Sequence, residues 1–413
     1  MLCNIMNLLF VIPYTPTSIR TRPHNLLKGL IAAGHHVTLA TLWETDEERL
    51  GLDEFADAGV KVIAVPLNKI RTGMNMLKAV ALRQPLQAYY SWQPKLRTLL
   101  QKEVFDAGSI PDVIHVEHLR GACYALWLAE RTNHPDQKIP IVWDAVDSIS
   151  YLFDQARIYS RSRFGRWISK LELKPTRRLE GKLVSKFDRV IVTSAADKAA
   201  MLELAGKRSQ TIRVLPNGVA LDFFHPGDRI NGNHSIVFTG KMSYHANHTA
   251  AMYLLEDIMP LVWQRAPEAR VWIVGKKPSD SLLERGQSDR RIHVTGSVPE
   301  ILPYIQEATV AVAPMLYGAG IQNKVLEAMA CHIPVVATNS ATAALTVEDG
   351  THLLLGNSAE AFANAIVRLL YDPRLRQRIA SQGYQYVNKN HDWPMLIEQF
   401  VAIYSEVCKH AAE

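Results

Sequence analysis

The chain has 413 residues, 48% hydrophobic, 21% charged and 8% aromatic, with a formal net charge of +6. That length and apolar content predict two or three domains with real cores and exclude a disordered or collagen-like chain. The four cysteines, Cys3, Cys123, Cys331 and Cys408, form no Cys-x-x-Cys pair; this argues against a zinc ribbon, a thioredoxin motif or a disulfide framework and fits a reducing compartment.

Leu8 to Ile12 is a short, wholly apolar, β-prone run, followed by the Pro-rich loop from Pro13 to Ile19. His24 to Ala33 reads as a helix with Leu26, Leu27, Leu30 and Ile31 on one face, ended by Gly34. Further strands are expected at Val37–Ala40, Val60–Val65, Val113–Val116, Ile141–Trp143 and Val190–Thr193. After a Gly/Asn/Pro-rich break at Pro226–His234, the plan repeats: Ile236–Gly240, Val271–Gly275, Ile292–Val294, Val310–Ala313 and Pro334–Thr338. Continuous apolar runs separated by helices predict strands buried on both faces, and so parallel sheets. The expectation is α/β, with two Rossmann-like doubly wound domains facing across a ligand cleft. The first covers 1–217, with a C-terminal helix near 393–413 returning to it, and the second covers 218–392.

No run reaches the roughly 20 mostly apolar residues of a bilayer span. Leu8–Ile12 has no charged leader or Ala-x-Ala site, so a cytoplasmic chain is expected. From Arg157 to Arg189, eleven Lys/Arg face three Asp/Glu, with Phe164, Trp167, Ile168, Leu171 and Leu173 between them and Pro175 expected to interrupt the helix. Two readings stand: a solvated helix pair with a buried seam, or a basic face touching anionic lipid or an acidic acceptor.

From Tyr317 the chain reads YGAGIQNKVLEAMACHIPVVAT, a Gly-rich turn leading into a helix and then a strand. Free amides of such a turn, with the helix dipole, suit an anion. This segment resembles the signature of the retaining glycosyltransferases of family 4, which have the GT-B fold. LPNGVALDFFHP (Leu215 to Pro226) resembles that family's interdomain segment. FTGKMSYHAN (Phe238 to Asn247) resembles its first C-domain strand and loop. VTGSVPEILPYIQEA (Val294 to Ala308) resembles its base-binding turn. The form GIQNKVLEAMA, with HVEHLRG and DAVDS upstream, resembles a narrower group of sugar transferases tied to bacterial exopolysaccharide and exosortase gene clusters.

The resemblance implies a nucleoside-diphosphate sugar as donor and co-substrate, a lipid-linked or saccharide acceptor, and no separate cofactor. Donor contacts fall on Gly240 and Lys241, on Gly296, Ser297 and Val298, and on Gly318, Gly320, Ile321, Gln322, Asn323, Lys324 and Glu327. Lys241 would stabilise the leaving diphosphate, and Glu327 would accept from the ribose hydroxyls. Bland readings stand beside these: turn glycines, a surface lysine, a first-turn helix acid. The family's first glutamate is replaced by Ala319, and the lysine it often places further along the first loop is replaced by Ala246, with Lys324, His245 or His248 as compensating cations.

His118 and Glu117, at the end of a strand, are candidate catalytic residues with Lys241. Arg20, Arg22, Asp144 and Asp147 are candidate acceptor-binding residues; Asp147-Ser148 reads equally as a helix N-cap. No metal-ligand spacing, DxD, Walker loop or nucleophile elbow is visible, and no nucleic-acid partner is expected. The leading expectation is a retaining, metal-independent hexosyltransferase of exopolysaccharide or lipopolysaccharide synthesis. Alternatives are a nucleotide-sugar epimerase, a dinucleotide oxidoreductase, which the late Gly318-Ala319-Gly320 supports poorly, and a binding-only pseudo-enzyme.

Overall fold

A computed structural model of the chain describes all residues except 1–4, 18–19, 107–109, 135–136, 161, 206–210, 228–232, 319 and 413. It divides into two units. One comprises Met1–Phe153, Lys170–Pro216 and Trp393–Glu413; the other comprises Asp154–Ser169 and Asn217–Asp392.

The first unit contains β1 (Asn7–Ile12), β2 (His36–Trp43), β3 (Lys61–Pro66), β4 (Val113–Glu117), a small antiparallel hairpin of β5 (Asn133–His134) and β6 (Gln137–Lys138), β7 (Ile141–Val146), β8 (Arg189–Val192) and β9 (Ile212–Val214). Seven of these form one parallel sheet, in the order β3-β2-β1-β4-β7-β8-β9. Alternation along β1 divides its side chains between two cores. Leu9 and Val11 join Leu100, Tyr124, Trp143 and Leu183, whereas Leu8, Phe10 and Ile12 join Leu26, Leu30, Phe400 and Tyr404. The second core is closed by the helices Thr21–Ala32 and Trp393–Ala412. They approach closely at Gly29, where a Cβ would lie 2.4 Å from the Ile397 side chain.

The second unit carries β10 (Ser235–Thr239), β11 (Arg270–Val274), β12 (Ile292–Gly296), β13 (Val310–Ala313), β14 (Val335–Ala337) and β15 (Leu354–Leu355). They form a parallel sheet in the order β12-β11-β10-β13-β14-β15. Both sheets thus match the expected doubly wound plan. The strand order reverses between β1 and β4 in the first and between β10 and β13 in the second. Ligands of such sheets bind beyond the strand ends at these reversals.

Pro175 does not interrupt its helix, contrary to expectation: Arg163–Lys186 is one element. Proline removes one main-chain donor, but the buried side chains of Glu172, Thr176, Leu179, Glu180, Leu183 and Val184 hold the helix on both sides of that gap. No described helix is long and apolar enough to cross a membrane.

Candidate functional site

In the first unit, the loops after β1 and β4 gather a buried polar cluster. Glu117 ends β4 and pairs in register with Asp144 of β7. Its Oε1 accepts from the Tyr14 hydroxyl at 2.8 Å, and its Oε2 is buried with no partner among the described residues. Burial, then the charge of Asp144, pushes the Glu117 carboxyl up to about 8. Asp144 is fully buried and receives Arg22 as a fork, Nε at 2.8 Å and Nη2 at 3.2 Å. Arg22 also donates to the carbonyls of Leu215 and Pro216, each at 3.2 Å. His115 is stacked on Phe10 at 4.5 Å and hydrogen-bonded to Tyr404 at 2.9 Å. Burial lowers it to about 4, so it is neutral.

His118 follows at the sheet's reversal with φ +60° and ψ 165°, a region almost confined to glycine. Its amide donates to Asp144 O at 2.7 Å, and its own carbonyl accepts from the Trp143 indole at 3.3 Å. Its Nδ1 accepts from the Arg120 amide at 3.4 Å. Burial and Arg120 lower the ring to about 3. Beside it, the Arg120 guanidinium stands 5.8 Å from the Tyr14 ring and 5.4 Å from the Tyr90 ring.

The four candidate acceptor residues have different surroundings. Arg22 and Asp144 are buried and bonded to each other, so they brace the cluster and do not face solvent. Arg20 is partly exposed, bonds Thr15 O at 2.8 Å, pairs with Glu48 at 3.2 Å, and covers Tyr14. Asp147 accepts from Thr193 at 3.2 Å and is pushed up to about 7 by burial and by Asp197. The helix-cap reading of Asp147-Ser148 holds at Ser148, whose Oγ accepts from the Tyr151 amide at 3.3 Å, while Glu180 takes the Ile149 amide at 2.7 Å and Asp147 bonds Thr193.

In the second unit, Gly240 leaves β10 at φ +152°. Its carbonyl lies against Gly275, where a Cβ would be 1.9 Å away, so side chains are excluded from both sites. Exposed Lys241 follows; its carbonyl accepts from the Asn247 side chain at 3.1 Å. Lys324 comes from the helix Asn323–Ala330. Its ammonium donates to Asn247 Oδ1 at 3.0 Å and Gln322 Oε1 at 3.2 Å, and sits 5.4 Å from the Phe238 ring. Asn247 therefore ties the β10 loop to the helix start. Burial lowers Lys324 to about 8 and raises Glu327 to about 7, each opposed by the other's charge.

Gly318 differs from expectation: its amide is not free but donates to Gln155 Oε1 at 3.1 Å. Gly320 has φ +63°, Ile321 is buried, and Asn323 accepts from Asn217 at 3.2 Å. Ala319 lies outside the described residues. His245 is engaged with Tyr317 at 2.7 Å and His248 with Ser279 at 3.3 Å, whereas Lys324 bonds Asn247, the residue that also reaches the Lys241 carbonyl. Gly296, at φ +68°, ends β12, and Ser297 and Val298 follow it at the sheet edge. No group of three or more His, Cys, Asp or Glu able to hold a metal gathers among the described residues.

Sequence reasoning missed Tyr14, Tyr404, Arg120 and Gln155. Tyr14 and Arg120 had a usable signal, being two residues past a reversal strand and two past His118. Tyr404 and Gln155 had none, since tertiary packing alone brings them in.

Comparison with known proteins places the model for "Glycosyl transferase 4-like domain" on residues 17–218 and that for "Glycosyl transferases group 1" on 233–372. The phosphatidyl-myo-inositol mannosyltransferase of Mycobacterium tuberculosis is 27% identical over 235 residues, 53% of this chain and 60% of that protein. The D-inositol 3-phosphate glycosyltransferase of Nocardiopsis dassonvillei is 24% identical over 332 residues, 70% of this chain and 75% of its own. The chain thus spans about 60% of the length of the mannosyltransferase it matches. Among solved structures, Anabaena HepE in complex with UDP and glucose has TM-score 0.68 at 15% identity, covering 97% of this chain and 100% of its own. Sucrose-phosphate synthase from Thermosynechococcus elongatus has TM-score 0.71 at 17% identity, covering 99% and 100%. At those identities the likeness is one of fold.

Proposed function

The chain belongs to the group 1 glycosyl transferases and has their GT-B fold, and we propose that it transfers a hexosyl unit from a nucleoside-diphosphate sugar to a hydroxyl acceptor with retained configuration. The observation that carries this reading is the tie through Asn247. It joins the Lys241 loop, beyond β10, to the start of the helix bearing Lys324 and Glu327, at the reversal of the second sheet.

In this reading the second unit binds the donor. Lys241 and Lys324 neutralise the diphosphate without a metal, Glu327 accepts from the ribose, and Gly296, Ser297 and Val298 border the base. Lys324 does not by itself restore what Ala319 removes, a carboxylate for the sugar. The donor's glycosidic C–O bond breaks as the acceptor oxygen bonds to the same carbon from the same face. The acceptor proton passes to the departing phosphate oxygen, so no protein nucleophile is required, and the protein contributes positioning and charge stabilisation.

The first unit binds the acceptor. Neutral His118 holds a sugar or acceptor hydroxyl, Glu117 keeps its proton near neutral pH, and Arg22–Asp144 fixes both strand ends. HVEHLRG, DAVDS and GIQNKVLEAMA support a place in exopolysaccharide or lipopolysaccharide synthesis, on the cytoplasmic side and at the membrane surface, with a lipid-linked or saccharide acceptor. HepE's complex with UDP and glucose makes UDP-glucose the first donor to try.

A thermal-shift screen of nucleoside diphosphates and their sugars, followed by product analysis with lipid-linked acceptors, tests the proposal. Stabilisation by a nucleotide sugar and a glycosylated product are expected. Stabilisation by NAD alone overturns it, and an epimerised sugar formed without acceptor replaces it with the epimerase reading.

A further inference from the structure

The helix Lys69–Ala81 of the first unit is inside out. Its buried positions are Thr72, Asn75 and Ala79. Thr72 donates to Tyr90 O at 3.2 Å and Asn75 to Trp92 O at 2.7 Å, so the polar side anchors the helix to the unit. Its opposite side shows Ile70 at 79% exposure, Met74 at 56%, Leu77 at 74% and Val80 at 65%, with Leu82 at 52% just beyond. Positions 70, 74 and 77 form one stripe at helical spacing. At about 100° per residue, Lys69 falls on one flank of that stripe and Arg71 and Lys78 on the other. An ordinary surface helix has the reverse arrangement, and a contiguous exposed apolar stripe marks an interface.

Charge identifies what covers it. Residues 69–83 contain Lys69, Arg71, Lys78 and Arg83 and no Asp or Glu. A second copy of this chain would set these cations against their own kind. An anionic headgroup layer neutralises them while its acyl region receives the stripe.

We propose that Lys69–Ala81 is an interfacial helix that lies in the plane of an anionic phospholipid surface, with Ile70, Met74, Leu77 and Val80 inserted below the headgroups. The inference stands on this helix alone and does not depend on the reaction proposed above. It carries a consequence for the unit. The helix is pinned to Tyr90, the Tyr90 ring meets Arg120, and the Arg120 amide bonds His118. Docking therefore fixes the His118 cluster relative to the lipid surface.

The full chain is floated with vesicles of phosphatidylcholine alone or with added phosphatidylglycerol. Binding is expected only with the anionic lipid and should weaken with salt. Ile70→Gln with Leu77→Gln should lower the bound fraction at least about tenfold, from the apolar burial removed. Amide exchange across 69–83 in the unaltered protein should slow on vesicle addition, a readout that needs no variant. Nucleotide-induced stabilisation, measured without lipid, reports folding of the variant and separately tests the donor reading. Four results overturn the inference: no flotation of the wild type, undiminished flotation of the double variant, unchanged exchange in 69–83 while the protein floats, or lipid-free self-association that the double variant abolishes. The third would move docking to another surface, such as that bearing Phe164 and Trp167.

Discussion

Glu117 and Asp144 stand side by side in register on adjacent parallel strands, yet only Asp144 has a cation. Arg22 forks onto it, whereas Glu117 has the Tyr14 hydroxyl and an unpartnered Oε2. Two neighbouring buried carboxylates cannot both ionise cheaply, and the one without the cation keeps its proton.

That asymmetry sets a pH dependence. Folded, Glu117 holds its proton up to about 8; its ordinary value is 4.5. Between these values the native state binds the extra proton, so this group's contribution to stability falls as pH rises, by at most about 1.4 kcal/mol per pH unit. Glu117→Gln removes the dependence. Its stability relative to wild type, measured by urea unfolding, should increase from pH 5 to pH 8. A constant difference would show that Glu117 is ionised in the native state.

Arg22→Met should cost about 3–5 kcal/mol, the range for stranding one partner of a buried pair. Adding Asp144→Leu should recover part of the loss, because no unpaired charge then remains. If Arg22→Met instead folds as stably as wild type and only the acceptor KM rises, Arg22 contacts the acceptor directly.

Much of this architecture can be read from sequence because both sheets are covered on both faces. Leu8–Ile12, Ile236–Phe238 and Val310–Ala313 are unbroken apolar runs for that reason. Of the four edge strands, β3 and β12 are legible, and the other two escape notice: in β9 Arg213 and Val214 are exposed, and β15 has two residues. The sequence shows strand-end candidates such as Glu117 and His118. It does not show that Arg22 would be spent on Asp144, 122 residues away, or that Tyr404 would reach His115 across 289 residues. The helix Lys69–Ala81 hides for the opposite reason, since its apolar periodicity points away from the core.

Nucleotide affinity should depend on pH through two groups in the second unit. Glu327 becomes an ionised acceptor as pH rises through about 7, which strengthens binding; Lys324 loses its charge above about 8, which weakens it. Titration calorimetry should show an optimum between these values. Glu327→Gln should remove the acidic limb and Lys324→Met the alkaline one. A profile unchanged by either substitution would separate both residues from the nucleotide.

Lys241 is exposed at the start of the loop that follows β10, so Lys241→Ala should leave folding nearly unchanged. Turnover should fall on the order of 100-fold, as for loss of one charge-stabilising group. An unaltered kcat/KM would take Lys241 out of the site.

His118 offers the sharpest separation of stability from function. Its φ of +60° with ψ of 165° belongs to a region that side-chain-bearing residues occupy only when surrounding structure imposes it, at a cost of about 1–3 kcal/mol. Here the imposing contacts are its amide on Asp144 O and its carbonyl under the Trp143 indole. His118→Gly relieves the strain and keeps both backbone bonds, while giving up the weak 3.4 Å bond from the Arg120 amide. It should therefore be more stable than wild type by about 1–2 kcal/mol. His118→Ala keeps the strain and should be no more stable than wild type. Both should lose turnover, by about 100-fold if the imidazole orients a reacting hydroxyl. Chemical denaturation and initial rates on the same preparations decide the matter: a glycine variant that is less stable, or an alanine variant with full turnover, would make His118 a structural residue.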